Sequence, residues 1–283
     1  MLKAKQYILL SSVAVLMVIL YSMDIKGLIK PEENEGMQNT VTAGDNKSVA
    51  EVSSESISSL SKEMISANLA TDISNLEKQI KTSSGDEAIT LQKQLAQKWD
   101  DVNQPAASAF YYEAIAEAEK TYQSWLIAGD RFTDGYQNFR DTTATPGLIN
   151  KAIYSYKKAL DLNPKSLNAQ TGLGVAYVTG TKNPMQGIQL LLGVVKVEPK
   201  NLKANMNLGM FSMKSGQFQK AIERFKTVIE VNATPEAWFY LGTSYENLDM
   251  KSEAILAYQK SKELAADPSL SNFVDRKIKE LNN

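Results

Sequence analysis

The chain contains no cysteine and no histidine. Those two absences exclude disulfides, thiolate nucleophiles, zinc sites of the Cys/His type, haem ligation through either residue, and imidazole general bases. With no cysteine to read, composition is silent on the redox compartment and merely compatible with an oxidising one. A dominant sign of charge is also lacking. Lys and Arg number 31 against 32 Asp and Glu, a formal net charge of −1, so there is no global electrostatic case for nucleic acid as a partner. No phosphate-cradling glycine loop is present: Gly172-Leu173-Gly174 is a lone G-x-G inside a helical pattern, and Gly44-Asp45-Asn46-Lys47 reads as a turn. The carboxylate pairs are no better placed. Glu32-Glu33 sits in a polar stretch, and Asp100-Asp101 at a helix end reads as a cap or a solvated face. Without convergent groups of suitable pKa, the expectation is a non-catalytic protein that needs no metal and no cofactor.

Long apolar runs are lacking too, with one exception. Gln6 to Met23 carries no charge, and Ile8 to Leu20 is almost wholly aliphatic. A helix over that stretch spans about 27 Å, enough for a hydrocarbon core. Lys3 and Lys5 precede it, so the positive-inside bias puts the short end in the cytoplasm. A cleaved signal peptide would share the basic start, but Leu20-Tyr21-Ser22-Met23 is bulky where small residues are wanted. Residues 1–30 are therefore expected to form a cytoplasmic tip and a single transmembrane anchor. That places the rest on the periplasmic or extracytoplasmic side of a bacterial inner membrane. Residues 31–56, rich in Glu, Thr, Ser, Asn and Gly, read as a flexible linker. From Ile57 the pattern changes: Ile57, Leu60, Met64, Leu69, Ile73, Leu76 and Ile80 recur at helical spacing, so 57–85 reads as an amphipathic helical segment broken near Ala67-Asn68. It would pack on the first repeat or self-associate as a short coiled coil.

The rest of the chain has a repeat. Leu173-Gly174, Leu208-Gly209 and Leu241-Gly242 place glycines 35 and then 33 residues apart. A period near 34 residues means stacked helical hairpins. In 235–268, Pro235 suits a first helical position, Trp238, Leu241 and Tyr245 share one face, and Asn247 to Met250 makes the turn. Ala254, Tyr258 and Ser261 share a face of a second helix, and Asp267-Pro268 ends the unit.

This order of Trp, Leu-Gly, Tyr, Ala and aromatic resembles the tetratricopeptide repeat. Residues 202–234 match through Leu208-Gly209, Gly216, Ala221, Phe225 and Val228. Residues 167–201 match through Leu173-Gly174, Tyr177, Val194 and Pro199, with Gly187 in the alanine place. Upstream, Ala152 to Leu160 with Asn163-Pro164 is a second helix, paired with Ala128-Gly129…Phe132…Tyr136 across a long connection, Asp141 to Gly147. Leu95-Ala96…Trp99 with Ala107…Tyr111…Ala114 reads as a divergent first unit, and 269–282 as a capping helix. The resemblance implies an all-α fold over 86–283: a right-handed α-solenoid of helix-turn-helix units with a C-terminal capping helix, preceded by the transmembrane helix.

It also implies a concave groove made by the first helices, with a protein or peptide partner in it. The groove residues would be Lys203, Met206, Asn207, Met210, Met213, Phe239 and Thr243, with Glu236 and Glu246 nearby and Asn168, Thr171, Val175 and Val178 from 167–201. Met206, Met210 and Met213 share a helix face and suit imperfect apolar partners. They suit packing between units equally well. The carboxylate clamp of some relatives is incomplete, since Thr171, Glu236 and Tyr240 stand at its basic places. The expected role is thus a membrane-anchored interaction scaffold aiding assembly of an envelope complex. The alternatives are an assembly factor of the cytochrome c maturation type, or a self-associating homo-oligomer that buries Phe110-Tyr111-Tyr112 and Trp125-Leu126-Ile127 between subunits.

Overall fold

A computed structural model describes residues 52–266 and 268–282 of the chain. The anchor expected over 1–30, and most of the linker expected over 31–56, lie outside the described residues. Among those described, no helix is long and apolar enough to cross a membrane. The described residues form thirteen helices and no strand: α1 (Ser54–Lys62), α2 (Ala67–Thr82), α3 (Gly85–Asp101), α4 (Pro105–Glu119), α5 (Tyr122–Asn138), α6 (Thr145–Leu162), α7 (Leu167–Gly180), α8 (Pro184–Val197), α9 (Leu202–Lys214), α10 (Phe218–Val231), α11 (Pro235–Glu246), α12 (Lys251–Leu264) and α13 (Pro268–Leu281).

Helices α3 to α12 pair into five antiparallel hairpins, α3/α4, α5/α6, α7/α8, α9/α10 and α11/α12, and α13 closes the C-terminal end. The start of each first helix from α5 onward has one chemical cause. Thr121, Ser166, Asn201 and Thr234 each accept a hydrogen bond from the backbone N–H three residues on, satisfying a donor that the helix leaves unpaired. The second helices lack such caps; α6 and α8 instead have Pro146 and Pro184 in their first turns, where a missing N–H costs nothing.

Three of the hairpins, α5/α6, α9/α10 and α11/α12, close by a glycine on the first helix meeting a ring from the second. A Cβ at Gly129 would lie 2.7 Å from the Tyr156 ring, at Gly209 2.6 Å from Phe225, and at Gly242 2.7 Å from Tyr258. In α7/α8 the ring is replaced by backbone, because a Cβ at Gly187 would come 2.3 Å from the Gly174 carbonyl oxygen. First helices of neighbouring units touch, α5 on α7, α7 on α9 and α9 on α11, while among the described residues no comparable contact joins the second helices. The stack therefore curves with its first helices on the inner side.

Two expectations about the N-terminal part change. The helix expected to begin at Ile57 begins at Ser54, where Ser53 and Ser56 form a reciprocal capping box, so residues 54–56 belong to α1 and not to the linker. The expected break lies at residues 63–66, just ahead of Ala67-Asn68. Both helices pack on the first hairpin: Ile57 and Ile73 are buried, and Glu77 on α2 accepts hydrogen bonds from Ser58 (2.5 Å), Lys62 and Tyr111 (3.0 Å). Of the aromatic surfaces offered for self-association, three residues are core instead, while Tyr111, Tyr112 and Ile127 are half-buried. Phe110, Trp125 and Leu126 are 8%, 3% and 7% exposed within a single chain, so they are not available to a partner. Asp100, read as a cap or solvated face, accepts from Tyr112 (3.0 Å) and from Arg131 Nε (3.0 Å), tying α3 to α4 and α5.

Candidate functional site

The inner face is built on three first helices. From α5 come Asp130, Thr133 and Asp134, one helical turn apart on a single face. Helix α7 contributes only small groups, Gly172 and Val175, which form the floor. From α9 come Lys203, Asn207 and Met210 on the opposite wall, and together these side chains enclose a cavity of about 420 Å³. A larger cleft of about 840 Å³ opens beside Phe110, Glu113 and Lys151, but it lies between α1, α4 and α6, away from the inner face.

The carboxylates of the cavity are positioned from behind. Tyr156, on α6, reaches under α5 through the gap at Gly129; its hydroxyl donates to Asp130 at 2.9 Å and lies 3.0 Å from Thr133 Oγ1. Burial first, and the charge of Asp130 second, push the Tyr156 hydroxyl well above its ordinary pKa, so it remains a donor at any physiological pH. Lys203 Nζ reaches Asp130 from the far wall at 3.3 Å, and Arg131 meets Asp134 at 3.4 Å. Both ion pairs are long and partly exposed, so they hold the carboxylates loosely. Burial raises the Asp134 carboxyl above its usual value against the opposing pull of Arg131.

The same device recurs at the C-terminal end. Tyr258 on α12 passes Gly242, donates to Glu246 at 2.5 Å and lies 3.2 Å from Thr243 Oγ1, while Lys277 on α13 pairs with Glu246 at 2.9 Å. Phe239 lies against this station, with ring centroids 5.5 Å from Tyr258 and 5.7 Å from Phe273.

The residues named from sequence thus fall into two groups. Lys203, Asn207 and Met210 line the cavity, and Asn207 also donates to the Lys203 carbonyl at 2.8 Å. Phe239 and Thr243 belong to the second station. Met206, Met210 and Met213 are half-buried against the C-terminal core, so the methionine stripe is partly packing. Thr171 is buried, its hydroxyl spent on the Leu167 carbonyl, and Val175 is buried as well. Sequence reasoning missed Asp130, Thr133 and Asp134. The register of α11 carries their signal: Asp130 follows Gly129 as Thr243 follows Gly242, and Thr133 stands where Glu246 does.

Two stretches of the chain match models of this repeat: residues 147–180 match a TPR repeat model, and residues 212–270 a tetratricopeptide repeat model. The chain carries tetratricopeptide repeats. The first matched stretch spans α6 and α7, and the second runs from the end of α9 into α13. Tetratricopeptide repeat protein 1 of Schizosaccharomyces pombe is 28% identical over 47% of this chain, and the match spans only 14% of that protein's length. Among solved structures, a thermophilic TPR protein of Thermus thermophilus is similar with a TM-score of 0.51 and 18% identity, over 67% of this chain and 98% of its own. MamA from Desulfovibrio magneticus RS-1 is similar with a TM-score of 0.48 and 20% identity, over 64% of this chain and 97% of its own.

Proposed function

We propose that the chain is a protein–protein interaction scaffold without catalytic activity. Its inner face, α5, α7, α9 and α11, holds an extended or helical segment of another protein. The N-terminal segment anchors it as a single pass in a bacterial inner membrane, the repeats face the periplasm, and the complex it helps assemble belongs to the envelope. The observation that carries the reading is the cavity itself. Small residues on α7 leave room between an acidic wall on α5 and an amide, lysine and thioether wall on α9. Such a surface binds; it has no activated nucleophile with which to react.

Affinity purification of the tagged full chain from native membranes, beside its Met210→Glu variant, tests this. The parent should recover one companion protein at near-stoichiometric yield. The variant, with unchanged helicity and melting temperature, should lose it. Equal recovery by both would move the binding surface off the inner face.

A further inference from the structure

Elsewhere in the protein, a carboxylate of the Asp130 kind is completed by a cation. Among the described residues, three others are held by a buried or half-buried tyrosine: Glu77 by Tyr111, Asp100 by Tyr112 and Glu246 by Tyr258. Each also has a basic side chain closed onto it: Lys62 on Glu77, Arg131 on Asp100 at 3.0 Å, and Lys277 on Glu246 at 2.9 Å. Those cations are only 22%, 35% and 29% exposed. The cavity on the inner face departs from the pattern. Asp130 has its tyrosine, Tyr156, but its cation, Lys203, stands off at 3.3 Å and is 53% exposed. Asp134, one turn along the same helix face, is served less well. Among the described residues its ion pair is with Arg131 at 3.4 Å, and that guanidinium is turned to Asp100 through Nε and lies over the Tyr112 ring. Asp100, Asp130 and Asp134 thus share two cations, Arg131 and Lys203, and one negative charge on α5 is left unbalanced. It borders the cavity of about 420 Å³. Burial first, with the charge of Asp130 behind it, lifts the Asp134 carboxyl above its usual range against the pull of Arg131 and Lys203, and a further cation would relieve that cost.

We propose that the cavity receives a lysine or arginine side chain of the bound segment, its charge against Asp130 and Asp134 and its methylene stem on Val175 and Met210. The proposal rests on the inner face being the binding surface and names what that surface selects. Acceptors dominate the lining. The Asn207 amide N–H donates to the Lys203 carbonyl at 2.8 Å, so its Oδ1 is left to accept from the far wall. A basic head group has only donors to offer, which matches carboxylates and an amide oxygen. Its stem is apolar and flexible, which suits a valine floor and a thioether wall. An acidic side chain would meet two carboxylates, and a neutral one would cover Asp134 without balancing its charge.

Random peptides displayed on phage, selected on the full chain and on its Asp134→Lys variant, test this. Peptides selected by the parent should carry a lysine or arginine at a shared position, and changing it to glutamine should weaken binding roughly tenfold or more. Against Asp134→Asn the same change should cost less than about twofold, because the charge it answers is gone. The Asp134 side chain is half-exposed, so that variant should keep the parent's melting temperature. Asn207→Asp adds a carboxylate to the far wall and should tighten the same peptides, a gain that a damaged fold would not give. Asp134→Lys should select an acidic residue at the shared position instead. Peptides lost on Met210→Glu that carry no shared basic residue, or whose basic residue is indifferent to Asp134→Asn, overturn the proposal and leave the inner face as the binding surface. Peptides that Met210→Glu still binds as tightly as the parent overturn both.

Discussion

Tyr156 donates a hydrogen bond to Asp130 at 2.9 Å across the gap left by Gly129, and Tyr258 does the same for Glu246 across the gap left by Gly242. One ring from α6 and one from α12 thus each close a hairpin and fix a carboxylate on the inner face. Packing and groove chemistry share the same side chain, so removing the ring and removing the hydroxyl should have separable effects.

Tyr258 is fully buried. Tyr258→Ala should destabilise the C-terminal units by about 3–5 kcal/mol, the range of large aromatic truncations. Tyr258→Phe keeps the ring and loses only the bond to Glu246, at about 1–1.5 kcal/mol. Urea unfolding followed by circular dichroism separates the two. A Tyr258→Ala midpoint equal to the parent's would contradict the packing described for α11 and α12.

Two glycines should respond with opposite signs. At Gly242 a Cβ would lie 2.7 Å from the Tyr258 ring, so Gly242→Ala should cost about 1–3 kcal/mol by overpacking. At Gly193 a Cβ meets nothing within 4 Å among the described residues, and Gly193→Ala should raise the stability of the chain by about 0.5–1 kcal/mol through helix propensity. Thermal melts of both variants at low protein concentration check the pair, and a shared sign would refute the account.

Glu113 lies in the cleft between α4 and α6, paired with Lys151 at 2.9 Å. Burial raises its carboxyl pKa above the usual range and outweighs that lysine. A raised carboxyl binds its proton more tightly in the folded state, so its ionisation costs stability, and the cost is present above the folded pKa and disappears as pH falls below the unfolded one. Glu113→Gln should therefore stabilise the chain at pH 7, with the gain shrinking toward zero by about pH 4. Urea midpoints of both proteins at the two pH values measure it. A variant less stable than its parent at pH 7 would mean that the ion pair outweighs the burial.

The N-terminal helices are held by one carboxylate. Glu77 accepts from Ser58, Lys62 and Tyr111, joining α1 and α2 to α4. Glu77→Ala should free α1 and α2 at a cost of about 1–3 kcal/mol for the donors left unpaired. Hydrogen-exchange mass spectrometry should show faster exchange over residues 54–82 and no change over 202–264. Uniform loss of protection would place Glu77 in the general core.

The sequence was legible where one contact recurs. Leu208-Gly209 with Phe225 and Leu241-Gly242 with Tyr258 are close approaches of a ring to a helix backbone, which tolerate few substitutes and leave a spaced pattern. The start of α2 was harder to place. Residues 63–66 read Glu-Met-Ile-Ser, with no glycine or proline to mark a turn and with apolar residues that carry the helical spacing through it. The aromatic runs at Phe110 and Trp125 misled because composition does not tell which core a ring enters. The groove was half legible: α9 lies in a clear repeat, whereas Asp130 and Asp134 lie on α5, separated from its partner helix by the irregular connection at residues 139–144. The depth of the cavity depends on Gly172 and Val175 being small, which becomes meaningful only once α5 and α9 face each other across them.

The central claim is that the inner face of α5, α7 and α9 is where a partner protein sits. The most direct measurement is site-specific photo-crosslinking in native membranes, with the reactive group at Met210 in one strain and at Leu256 on the outer face in another. The account expects a dominant adduct to one partner protein from position 210, absent from position 256 and lost when Asp134→Lys is added. Equal adducts from both positions, or adducts from 210 only to the chain itself, would contradict it.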